Sequence, residues 1–86
     1  METFYITFPL KYNQQPHPLF PDLIDGNSIV EVEATNEEQA REFVTDHFDI
    51  HWAFIYSGDM LERLKESNSY STIVGTITNK NTLKFG

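Results

Sequence analysis

The chain reads as an α+β domain: a small, mostly antiparallel sheet in the order β-loop-β-α-β-α-β, with its helices packed on one face. Three observations predict this class. Phe4-Tyr5-Ile6-Thr7-Phe8 repeats with the two-residue period of a strand, Ala40, Phe43, Val44 and His47 repeat with the spacing of a helix, and the two periods interleave along the chain. Eighty-six residues suit a single domain spanning 1–86, close to the size at which one core barely offsets the entropy of ordering the chain. Self-association into a homo-oligomer would help such a domain.

The first strand places Phe4, Ile6 and Phe8 on one face and Tyr5 and Thr7 on the other. Pro9 ends it, because proline donates no ladder hydrogen bond. Residues 9 to 27 then lack regular periodicity until Asp25-Gly26-Asn27 turns the chain. A stretch of this length is either functional or disordered in a compact domain, and Leu19, Phe20, Leu23 and Ile24 argue for packing. The second strand, Ser28 to Ala34, turns Val30, Val32 and Ala34 inward and Glu31 and Glu33 to water.

Thr35-Asn36-Glu37-Glu38 has the form of a capping box, with Thr35 as cap and Glu38 as its reciprocal acceptor. It predicts a helix from about Asn36 to Phe48, with Glu37, Glu38, Arg41 and Glu42 wet. Trp52-Ala53-Phe54-Ile55-Tyr56 is the third strand, with Trp52, Phe54 and Tyr56 on one face. Phe54 is assigned to the core, while Trp52 and Tyr56 stand between core and binding site. Ser57-Gly58-Asp59 leads into a short helix from Met60 to about Glu66, broken at Ser67-Asn68-Ser69. Tyr70 to Thr78 is rich in β-branched residues and forms the fourth strand, with a bulge or close neighbour at Gly75. Residues 79–86 form a fifth, edge strand or a frayed tail.

Composition excludes several functions. Cysteine is absent, which removes thiol catalysis and thiolate metal sites and fits a reducing compartment. The start lacks a secretory pattern, and no stretch approaches the ~18 apolar residues of a membrane span, so a soluble, cytoplasmic protein is expected. The formal charge is −7, and between Tyr12 and Arg63 the one Lys or Arg is Arg41, which argues against general nucleic-acid binding. No Gly-rich phosphate loop, Ser/His/Asp ordering or paired-carboxylate motif suggests an enzyme. His47 and His51 are four residues apart, but the helix is expected to stop before His51, so no metal site is expected.

Two sets of residues remain as candidate sites. The first is Lys11, Tyr12, His17, Trp52 and Tyr56. Lys11 is the sole Lys or Arg in the first forty residues, His17 is held extended between Pro16 and Pro18, and the aromatic rings suit stacking. His17 has two readings, a donor to a ligand or a cap on a backbone carbonyl. The second set is the acidic helix face of Glu37, Glu38, Glu42 and Asp46, which is either a solvated surface or a mimic of DNA phosphates that covers a basic site on another protein.

The segments Phe4-Tyr5-Ile6-Thr7-Phe8, Lys11-Tyr12, His17-Pro18, Asp25-Gly26, Ala40-Arg41 and Trp52-Ala53-Phe54-Ile55-Tyr56 together resemble small bacteriophage proteins of unassigned function. The likeness covers residues 4 to about 57. It implies a non-enzymatic accessory role in an infected bacterium, in counter-defence. One route is sequestration of a small nucleotide immune signal by the first set, which the sequence favours for its more specific pattern. The alternatives are inhibition of a host defence enzyme by the acidic face, or a minor role in virion structure or assembly. No cofactor is implied.

Overall fold

The computed structural model describes residues 1–66 and 72–86. Its elements are β1 (Glu2–Thr7), a 3-10 helix (Leu10–Asn13), β2 (Ser28–Ala34), α1 (Glu37–Phe48), β3 (Ile55–Ser57), a second 3-10 turn (Gly58–Met60), α2 (Leu61–Glu66), β4 (Thr72–Ile77) and β5 (Leu83–Phe85). This is the expected α+β class, a five-stranded sheet in the order β3-β1-β2-β4-β5. Its pairs are antiparallel except β2 with β4, which run parallel. The break expected at Ser67-Asn68-Ser69, and Tyr70 and Ser71 of the fourth strand, lie outside the described residues.

Parallel neighbours need a crossover connection, and here it runs out on one face and back on the other. After β2, α1 carries the chain across the sheet to the far edge, where β3 pairs with β1. Phe4, Ile6, Val30, Val32, Ala34 and Ile77 form one core with Ala40, Val44 and Phe48 of α1. The return brings Leu61 and Leu64 of α2 against Tyr5, Ile29, Tyr56 and Ile73. Phe4 and Tyr5 are consecutive in β1 and point to opposite faces, so the two cores lie on opposite sides of the sheet. The helices therefore do not share one face. The first face is already filled by α1, and on the second face Tyr5, Ile29, Tyr56 and Ile73 form a smaller apolar patch that α2 covers.

Boundaries moved where local chemistry differed from the pattern. The cap of α1 is Asn36, whose Oδ1 accepts from the Gln39 amide at 2.8 Å, and Gln39 Oε1 accepts in return from Thr35 N at 2.8 Å. The reciprocal box is thus built on Asn36 and Gln39, one residue beyond Thr35 and Glu38. Asp49 closes the helix with φ 55 and ψ -123, a positive-φ conformation that ends the helical path while its N–H still donates to Thr45 O.

At β4, the register against β2 slips between Ile29 and Val30, as Ile73 and Gly75 become their partners and Val74 is the extra residue. A Cβ on Gly75 would sit 2.8 Å from the Lys84 carbonyl, so glycine is what lets β5 approach at the bulge. The C-terminal segment is an edge strand, held by Gly86 N–H donating to Val74 O and by a turn with Asn81 at φ 58.

Candidate functional site

The proline loop is an ordered wall across the end of the α1 core. Tyr12, in the first 3-10 helix, and Ile24 are buried in that core, with Phe20 packed against it. His17 is 1% exposed and sits among Phe8, Tyr12, Phe20, Phe48 and His51, with ring centroids 4.8 to 6.1 Å away. Its Nε2–H donates to the His51 carbonyl at 2.9 Å, and its Nδ1 accepts from the amides of Leu19 at 3.1 Å and Phe20 at 3.2 Å. Burial lowers its pKa below the ordinary 6.5; the bond to the His51 carbonyl opposes that shift, and the His51 imidazole adds to it. Of the two readings of His17, the backbone cap describes the geometry. Pro16 and Pro18 hold the backbone and offer no amide of their own, so the ring serves the next two donors along the chain.

The first candidate set converges only in part: Lys11, Tyr12 and His17 adjoin, while Trp52 and Tyr56 pack on opposite faces of the sheet. Lys11 is exposed, with its Nζ 5.4 Å from the centroid of the Tyr12 ring. Tyr12 is 6% exposed, and its hydroxyl lies 3.5 Å from His51 Nδ1, the outer limit of a hydrogen bond. Trp52 packs against the α1 core, donates Nε1–H to Asp49 O at 3.1 Å and carries the Arg41 guanidinium over its ring at 5.7 Å. Tyr56 packs on the opposite face with Tyr5 and Leu64.

The aromatic run is not one continuous strand, and Trp52 and Tyr56 end on opposite faces while the Phe54 and Tyr56 rings stay 6.2 Å apart. Only Ile55–Ser57 is regular strand. Before it, Ala53 N–H donates to Thr7 O and Thr7 N–H donates to Phe54 O, so adjacent residues of the run meet one residue of β1. Phe54, assigned to the core by alternation, is turned out and 62% exposed. A two-residue alternation holds only while the pairing register is unbroken.

The acidic set does come together. Glu38, Arg41, Glu42, Thr45 and Asp46 line an open groove of about 400 Å³ on the outer face of α1. Their spacing is the helix stripe opposite Ala40, Val44 and Phe48, so Thr45 was legible from periodicity although its type suggested nothing. Glu37 lies outside the groove and pairs with Arg41 at 3.6 Å. Asp46 accepts from Asn81 Nδ2 at 2.9 Å, and neighbouring His47 donates its Nε2–H to the Asn81 carbonyl at 2.9 Å, which docks the β4–β5 turn against the helix. The carboxylates of Glu38 and Glu42 meet no hydrogen-bond donor or cation among the described residues.

Among the described residues no group of three His, Asp or Glu side chains is placed to hold a metal ion, and no helix is long and apolar enough to cross a membrane. Compared with protein-family models, curated proteins and solved structures, the chain has no significant match in any of the three.

Proposed function

We propose that the protein is a non-catalytic binding module that engages a basic protein surface through the outer face of α1. One observation carries this reading: Glu38 and Glu42, one helical turn apart, flank an open groove with carboxylates that meet no donor or cation among the described residues. Unpaired surface carboxylates in a row favour a partner bearing lysine or arginine, steer its approach and make the encounter sensitive to salt. The resemblance to small bacteriophage proteins suggests the partner's class, a host defence enzyme with a nucleic-acid-binding groove, met in the bacterial cytoplasm.

Sequestration of a small nucleotide by Lys11, Tyr12, His17, Trp52 and Tyr56 has less support. Tyr12 and His17 offer almost no surface, and Trp52 and Tyr56 belong to opposite faces of the sheet. Lys11 is then left as the one cation of that set, a weak basis for holding a phosphate in an acidic protein.

The test is affinity capture from host lysate with the wild type and a Glu38→Lys/Glu42→Lys variant, followed by measurement of the captured partner's affinity at rising salt. A partner lost on charge reversal, and weakened by salt, supports the acidic face. Equal capture by both forms eliminates it, and a thermal shift with cyclic nucleotides alone would restore the nucleotide reading.

A further inference from the structure

The geometry points to His17 as an acid-released latch: protonation of its ring frees the segment from residue 16 to residue 24 and uncovers the aromatic core beneath. The hydrogen-bond pattern fixes the chemistry. Two backbone amides point at Nδ1, so that nitrogen carries its lone pair, and Nε2 carries the hydrogen given to the His51 carbonyl. A proton can be added only at Nδ1, where its hydrogen would face the N–H groups of Leu19 and Phe20. The ring can therefore become charged only by letting both amides go.

Those two bonds are also what dock the segment. Phe20 sits with its ring centroid 5.4 Å from that of Phe48 and 5.1 Å from that of Phe85, and its carbonyl accepts from the amides of Leu23 and Ile24. Releasing its own amide loosens the small turn that seats Ile24 in the core. The groups facing the imidazole are the Tyr12 phenol from the 3-10 helix, the His51 imidazole from the segment after α1, and the phenyl rings of Phe8, Phe20 and Phe48. The nearest charged side chain in that 3-10 helix is Lys11, over the Tyr12 ring, and Asp49 follows α1 with an exposed side chain. None of the facing side chains among the described residues is a carboxylate; the His51 carbonyl at Nε2 offsets a positive charge only in part, burial outweighs it, and the second imidazole opposes the charge.

The direction of the pH effect follows. The released segment takes up a proton at the ordinary histidine value of 6.5, whereas the docked ring resists it. The closed form is thus fully favoured above that pH and loses ground as pH falls toward the lower docked value. Across that window the closed-to-open ratio falls by about tenfold per pH unit.

Amide hydrogen exchange by NMR, read as protection factors of Leu19 and Phe20 between neutral and mildly acidic pH, tests the latch on the intact protein. Wild type should lose protection at these amides in acid before the Val30 and Val32 amides of β2 do. His17→Asn keeps an acceptor near the Nδ1 position without titrating, and should hold protection constant over the same range. His51→Gln removes the opposing imidazole and should keep a loss of protection in acid, reduced in extent, because the docked ring then resists protonation less. Ring nitrogen-15 shifts of His17 should show a neutral ring with hydrogen on Nε2 at neutral pH, a readout that does not depend on any variant folding. Protection that does not change with pH in the wild type, a response that survives in a folded His17→Asn, or a ring already charged or protonated on Nδ1 at neutral pH would each overturn the proposal.

Discussion

The loop over residues 9 to 27 and the outer face of α1 hold the residues that look most functional in this chain, and the fold treats them in opposite ways. In the loop, both nitrogens of the 1%-exposed His17 are engaged by backbone and Tyr12 is closed off by neighbouring rings. On the helix, Glu38 and Glu42 are exposed and have no partner among the described residues. A histidine between two prolines and a solvated glutamate would ordinarily be ranked the other way as binding residues. The difference teaches that capacity for recognition depends on what a side chain has left to offer after folding, rather than on its type.

The most severe way to break the comparison is Phe48→Ala. Phe48 is fully buried and touches Phe8, His17 and Phe20, so it joins the helix to the loop. Its truncation should cost about 3–5 kcal/mol, a large part of the stability of so small a domain. Chemical denaturation should show this as a lower midpoint with an unchanged slope.

His17→Ala comes next, at about 2–3 kcal/mol, because it strands the Leu19 and Phe20 amides and the His51 carbonyl near the core. A neutral result in the same denaturation experiment would mean that the loop is not held by its histidine. Thr7→Val sharpens the point from the other side. Thr7 is as buried as His17, yet its Oγ1 has no hydrogen-bond partner among the described residues, so the valine variant should be more stable by about 1 kcal/mol. If both replacements destabilised equally, burial rather than satisfaction would be the governing quantity.

The smallest effect belongs to the helix face: Glu42→Lys should leave the thermal midpoint within about 3 °C of wild type while abolishing partner capture. A collapse in stability would show that Glu42 has a structural role.

Much of the architecture was legible in residue order. Alternation in Phe4 to Phe8 and Ser28 to Ala34 yields two neighbouring interior strands, β1 and β2, and the three-and-four spacing of Ala40, Phe43, Val44 and His47 yields α1. The acidic stripe was legible too, since a helix makes the face opposite its core stripe available to solvent. The first candidate site was not. Whether Trp52, Phe54 and Tyr56 share a surface depends on how Ala53 and Phe54 pair with Thr7, a contact between residues far apart in sequence.

By itself, then, the sequence determined the periodic elements, the acidity of one helix face and the absence of thiol chemistry, because these depend on spacing and side-chain identity alone. Tertiary structure decided that α2 covers the second face, that His17 is spent on holding the loop and that Phe54 faces solvent. Each of those outcomes turns on which distant backbone donor or acceptor a residue meets, and no local pattern encodes that meeting.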